Sequence, residues 1–330
     1  MPKTPRKQAS FSKVAECLYR NQSSGTYYAL VKRSGSQIRR SLKTKDRKLA
    51  ERRLKDFREQ ADRLSSNGKD KRLSFKSLAE RWEPIATANL KPSSADRVRR
   101  CMRMLDQFFG DQSITGITSR DCEEWATQRG RNIAASTFNQ DAQVLKGIME
   151  YAVGSGLLLD NPASVIKRRR VVDKAILIPS HEQFGKLIES LYELDARARE
   201  AVPLVKLLAL SGMRLGEATR ITWGEVDFGR NQFTVSGGEV GTKNREVRIV
   251  PLFPALLDLL KELSDGQEPE RDSRIISIQS ARKAMETACR IAKLPYFTHH
   301  CLRHYFVSNA IEKSIDFKTI AAWIGHKDGG

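Results

Sequence analysis

Cysteine is scarce in this sequence: Cys17, Cys101, Cys122, Cys289 and Cys301 are the only five in 330 residues, with no Cys-x-x-Cys pair and no metal-ligand spacing. A disulfide framework and a thiolate zinc site are thereby excluded, and the thiols read as reduced. Cys301 lies beside a histidine, but nothing nearby completes a hydrolase pattern. Apolar runs of bilayer-spanning length are missing, and the basic N-terminus MPKTPRKQASFSK lacks the apolar stretch of a secretory signal. A soluble chain in the cytoplasm, with no membrane partner, is the expectation. Also absent are a carboxylate cluster of the two-metal nuclease kind, a phosphate-cradling glycine loop and a Gly-x-Ser-x-Gly elbow. The sequence therefore offers no metal or other cofactor site.

What it has in excess is positive charge, a formal +19. The excess is localised: residues 1–72 hold 21 Lys and Arg against 7 Asp and Glu, residues 73–175 hold 16 against 12, and residues 176–330 hold 21 against 20. Charge serving only general solubility would be spread along the chain. A surplus of +14 in the first fifth instead matches a nucleic-acid contact, with a disordered basic tail as the alternative.

The patterning favours a folded module. CLYRNQ, GTYYALVKR and SQIRRSLKT carry strand formers separated by SSG and SGS turn signals, predicting a three-stranded sheet. Thr44 then precedes a helix in which Leu49, Leu54, Phe57, Ala61 and Leu64 would cover the sheet. SSNGKDKRLS reads as a linker. From Phe75 helical periodicity is nearly continuous and predicts a bundle, which Gly156, Asn161 and Pro162 terminate. Lys167, Arg168 and Arg169 follow in a basic connector that either lies on DNA or is solvated. Beyond Ser180, itself spaced from Gln183 as a capping box, come apolar helices interrupted by NQFTVSGG and EVRIVPL, short strands flanking the turn GTKNR. The fold class expected is multidomain and mainly α with small β elements: a module over 1–66, a helical domain over 73–170 and an α+β domain over 176–330.

Within the last domain the chemistry-bearing residues are cations. Arg214 follows Ser-Gly-Met after a buried-looking helix, Lys243 sits on the hairpin turn, His300 and Arg303 fall three residues apart on one helix, and His326 follows Gly325. SGMRLGEATRITWGEVDF resembles the first arginine box of tyrosine site-specific recombinases of the phage-integrase kind, HHCLRHYFVSNAIEK their His-x-x-Arg box, and WIGHKDGG their third box. TKNREVRIVPL is similar to their catalytic-lysine hairpin, the helical middle resembles their core-binding domain, and the N-terminal module resembles an arm-type-site module.

The resemblance implies site-specific recombination by metal-independent cleavage and rejoining through a 3′-phosphotyrosyl intermediate. Double-stranded DNA would be the partner, with a homotetramer acting on paired sites. Elementary chemistry suits the residue types. Two permanently charged guanidiniums, Arg214 and Arg303, can hold the non-bridging oxygens as negative charge builds on them. Lys243, with Arg245 competing for the role, would protonate the leaving 5′ oxygen, and His300 and His326 would serve as acid/base and phosphate-orienting groups.

Glu217 is expected to orient Arg214, and His304 to make a structural hydrogen bond; His299 is expected to be exposed or to face DNA. Cys301 stands where the resemblance leads one to expect an acidic residue. Arg33, Arg39, Arg40, Lys43, Arg97 and Arg100, with the connector cations Lys167, Arg168 and Arg169, are the candidate DNA contacts. The family's tyrosine follows the third box, where this sequence stops; Tyr296 and Tyr305 precede that box. The chain is therefore expected to be inactive in cleavage by itself, through cropping, natural truncation or donation of a tyrosine by another protomer. The alternative function is a catalytically inert DNA-binding or regulatory protein on the same fold.

Overall fold

A computed structural model describes residues 11–33, 36–62, 64, 72–172, 175–236, 247–267 and 269–326. It is mainly helical with two small antiparallel sheets. The chain divides into two compact units, Met1–Asp173 and Lys174–Gly330. No described helix is long and apolar enough to cross a membrane.

The first unit opens with four strands in the order β1 (Phe11–Ala15), β2 (Leu18–Asn21), β3 (Tyr27–Arg33) and β4 (Ser36–Ser41). The extra strand relative to the sequence expectation is β1. Its reversal into β2 contains no glycine or asparagine, because Cys17 itself takes the left-handed conformation at φ 59°. Helix α1 (Arg47–Asp62) starts at Asp46, whose Oδ1 accepts the Leu49 N–H at 2.7 Å, rather than at Thr44. It buries Ala50, Leu54, Phe57 and Ala61, whereas Leu49 is 37% exposed. The spacing 50, 54, 57, 61 keeps to one helical stripe, and Leu49 lies one position off it. Leu159 packs against this small core, and Arg40 donates to Asp160 Oδ1 at 2.5 Å with its guanidinium over Phe57.

The same unit continues with α2 (Phe75–Thr87), α3 (Pro92–Phe109), α4 (Ser119–Arg129) and α5 (Ala135–Gly154). They enclose Phe75, Leu105, Phe109, Trp125, Phe138, Leu145, Ile148 and Met149. A Thr118–Asp121 capping box begins α4. After the bundle the chain is held down rather than loose. The Asn139 side chain donates to Arg169 O and accepts from Arg169 N, both at 2.8 Å, and Lys146 Nζ donates to Ile166 O at 2.7 Å.

The second unit is built around α8 (Ala201–Ser211), whose Val202, Leu204, Val205, Leu207 and Leu208 are all buried. Such all-round apolarity marks a central helix. Around it lie α6 (His181–Tyr192), α7 (Ala196–Arg199), α9 (Leu215–Ala218), α10 (Pro254–Ser264), α11 (Arg282–Ile291), α12 (His299–Glu312) and α13 (Phe317–Ile324). The Ser180–Gln183 capping box opens α6 as expected. A three-stranded antiparallel sheet, β5 (Val226–Asp227), β6 (Gln232–Val235) and β7 (Arg248–Pro251), completes the unit.

Candidate active site

The site begins where α8 stops. Gly212 takes φ 65°, and a Cβ on it would come within 2.5 Å of Cδ1 of Phe306 on α12. Both the left-handed turn and the close approach of two helices require glycine there. The turn delivers Arg214 to the start of α9. Its backbone N donates to Glu217 Oε2 at 2.9 Å, its Nη1 to Glu217 Oε1 at 3.1 Å and its Nη2 to Gly325 O at 3.3 Å.

Arg303 reaches the same place from α12. Only 3% exposed, it donates Nη1 to Gly212 O and Nη2 to Ile324 O, each at 2.6 Å. Carbonyl partners satisfy its donors without supplying a countercharge. Burial, followed by the nearby Arg214 and Arg248 charges, accordingly pushes the Arg303 guanidinium down to about 10, with Glu217 opposing in part.

Arg248 is the residue that sequence reasoning missed. It donates Nη2 to Glu217 Oε2 at 2.6 Å, Nη1 to Glu217 Oε1 at 3.3 Å and Nε to Trp323 O at 2.6 Å. On β7, positions 248 and 250 share a face, and that face buries Val250, so the apolar Ile249, like Val247 just before the strand, is exposed while the arginine points in. For the Glu217 carboxyl, burial works to raise its pKa, and the Arg248 and Arg214 hydrogen bonds outweigh it, leaving the group below the usual carboxylate range. Among the described residues, this cluster sets three guanidiniums against a single carboxylate.

Partial burial lowers the His300 pKa from its ordinary value, and so do the neighbouring His304, Arg303, Arg214 and His326. Gly325 ends α13 at φ 67°, and the following His326 N–H closes back on Ala321 O at 3.0 Å, which sets where His326 leaves the helix. Arg214, Arg303, His300 and His326 are thus gathered from three separate stretches of sequence. Lys243 and Arg245 lie outside the described residues.

The supporting expectations fare unevenly. Glu217 does bind Arg214 but shares itself with Arg248. The His304 side chain makes no hydrogen bond among the described residues; its ring stands edge-on to His300, centroids 4.6 Å apart, because residues four apart on a helix are stacked neighbours. His299 is half-buried, neither exposed nor facing outward, since its Nε2 accepts the Ala281 N–H at 3.0 Å ahead of α11. Cys301 fills the third position of a capping box with Thr298, Thr298 N donating to its Sγ at 3.3 Å. The thiol takes the place an acidic side chain commonly occupies, without adding negative charge beside His300. Tyr305 is buried, hydrogen-bonded through its hydroxyl to His181 Nδ1 at 2.8 Å and stacked on Phe184. Among the described residues no group of three or more His, Cys, Asp or Glu is placed to hold a metal ion.

Of the other cations, Arg39, Lys43, Arg97, Arg100, Lys167 and Arg168 are exposed. Arg40 is committed to Asp160, and Arg33 ends β3 with its side chain outside the described residues. Arg169 turns inward instead: it donates Nη1 to Gly130 O at 2.6 Å and lies 4.0 Å over the Phe138 ring. A guanidinium that caps the end of α4 and covers an aromatic face is a packing element.

Residues 180–330 match the model of the phage integrase family. Tyrosine recombinase XerC of Xylella fastidiosa is 26% identical over 246 residues, covering 71% of this chain and 82% of its own length. A tyrosine recombinase of Thermosipho africanus is 22% identical over 240 residues, covering 69% and 82%. Residues 180–330 are thus a phage integrase family domain, and the curated relatives that the chain resembles are tyrosine recombinases. Solved structures share the fold of this chain. A lambda integrase tetramer bound to a Holliday junction aligns with TM-score 0.65 at 17% identity, covering 96% of this chain and 97% of that one. The Tn1549 transposon integrase in complex with a circular intermediate DNA aligns with TM-score 0.62 at 16% identity, covering 78% and 93%.

Proposed function

We propose that this chain carries the phosphodiester-handling centre of a tyrosine recombinase for site-specific DNA recombination, breaking and rejoining strands through a 3′-phosphotyrosyl intermediate. The observation that carries the reading is the convergence of Arg214 and Arg303, whose guanidiniums among the described residues meet carbonyls and, for Arg214, a carboxylate shared with Arg248. Two such guanidiniums would bind the non-bridging oxygens more strongly as charge develops on them. His300 would exchange a proton with the attacking hydroxyl, His326 would hydrogen-bond the phosphate, and Lys243 would protonate the leaving oxygen.

The attacking hydroxyl is proposed to come from a tyrosine outside these 330 residues, since Tyr305 directs its hydroxyl to His181. Double-stranded DNA is the proposed partner, bound at core sites by residues 73–170 and 176–330 and at arm sites by residues 1–66. Exposed Arg39, Lys43, Arg97, Arg100, Lys167 and Arg168 would supply phosphate contacts. Assembly as a tetramer on paired sites is suggested by the lambda integrase tetramer that shares the fold.

Extending the chain past Gly330 with a tyrosine-bearing segment tests this. A nicked suicide substrate carrying the attachment site should then trap a covalent protein–DNA adduct, which Arg214→Ala or Arg303→Ala abolishes while DNA binding persists. No adduct on that substrate would favour an inert DNA-binding role, and unfolding of both variants would assign the arginines to structure.

A further inference from the structure

Glu217 touches two guanidiniums, sharing its Oε1 between them. Arg214 donates to Oε1 at 3.1 Å, and Arg248 donates to both Oε2 and Oε1, at 2.6 and 3.3 Å. The shorter contact belongs to Arg248, whose side chain is 8% exposed against 23% for Arg214. The more buried arginine therefore holds the carboxylate more tightly. A single negative charge divided between two permanent positive charges can neutralise neither. Without Arg248, Glu217 would be left to Arg214 in a one-to-one ion pair, and Arg214 would meet a phosphate as a half of a neutral couple.

We infer that Arg248 is a positioning residue that engages Glu217 so that Arg214 keeps a net positive charge for an anionic phosphate. The Arg248 Nε bond to Trp323 O at 2.6 Å ties the strand to the end of α13. Arg248 thereby links β7, the start of α9 and the end of α13. Glu217 still orients Arg214, because its bond to the Arg214 backbone N is independent of the charge balance. The inference rests on the reading of Arg214 as a phosphate ligand.

The test is a charge cycle, with inorganic phosphate as probe and the His300 ring signals in NMR reporting occupancy, using the full chain in a fixed chloride background. Arg248→Gln should weaken phosphate binding about tenfold, the scale of one charge-assisted hydrogen bond. Glu217→Gln should tighten it, and the double variant should return to within about threefold of the starting affinity, a coupling that a purely structural arginine would not show. Failure of the double variant to recover, with its fold intact by circular dichroism, overturns the inference. Should Arg248→Gln fail to fold, Glu217→Gln decides alone: unchanged or weaker phosphate binding rejects the charge-sharing role. Arg214→Ala serves as the separate control, for if it leaves phosphate affinity unchanged, the clamp reading itself falls.

Discussion

Gly212→Ala is the substitution whose consequence can be worked most fully from the geometry. The residue sits at φ 65°, and the added methyl would lie 2.5, 2.9 and 3.0 Å from Cδ1, Cε1 and Cγ of Phe306. Left-handed backbone costs an L-residue about 1–2 kcal/mol. Forcing an aromatic ring aside in a packed interior costs about 1–3 kcal/mol more. Together these give roughly 2–5 kcal/mol of local destabilisation. Gly266 is an internal control, having φ 66° with nothing within 4 Å of its would-be Cβ, so Gly266→Ala bears the backbone cost alone.

Native-state hydrogen exchange in dilute urea, read on peptides from α8 and α12, measures each variant separately from the first unit. Because Gly212 O also accepts from Arg303, the same substitution should weaken phosphate binding, whereas Gly266→Ala should not. Equal destabilisation by the two alanines would refute the argument that α8 and α12 are in steric contact at this glycine.

The connector can be tested through salt. Lys167→Ala and Arg168→Ala should each lower the slope of log K for duplex DNA against log salt by about 1, as one lost phosphate contact does. Arg169→Ala should leave that slope unchanged and instead speed exchange at the end of α4, because its guanidinium serves Gly130 O and Phe138; a slope change for Arg169 would return it to the DNA contacts. Histidine titration gives the third outcome. His299, His300 and His304 all lie below their ordinary value of 6.5, with burial the first cause for each. The unfolded chain therefore binds protons first as pH falls, so their contribution to stability is complete above about pH 6.5 and is lost progressively below it. Arg303→Ala should raise the His300 midpoint in NMR by removing a neighbouring positive charge; an unchanged midpoint would count against the proximity of the two.

The ordered cationic motifs were legible because each is local: Arg214 closes a helix-terminating turn, and His300 and Arg303 share a helix face by simple spacing. The two strands β6 and β7 and the α6 capping box were legible for the same reason. Arg248 was not, although it carries the same charge as its neighbours in TKNREVRIVPL. Alternation alone does not say which side of a four-residue strand faces inward, and here the buried face holds Arg248 and Val250 while Val247 and Ile249 face water. Strand β1 escaped notice because its turn is formed by Cys17, a residue with no turn preference, driven to φ 59° by pairing of the strands on either side.

Chain order and residue type alone determined which cations could serve a phosphate, since charge, hydrogen-bonding capacity and helical spacing are properties of a short segment. Tertiary structure decided which of them remain available. Arg169, drawn from the same basic run as Lys167 and Arg168, is consumed by Gly130 O and an aromatic face, and Arg40 by Asp160. Arg214 and Arg303 instead end on carbonyls and a divided carboxylate. The physical reason is that a guanidinium's remaining charge depends on partners brought from other segments, in this site from as far as 111 positions away.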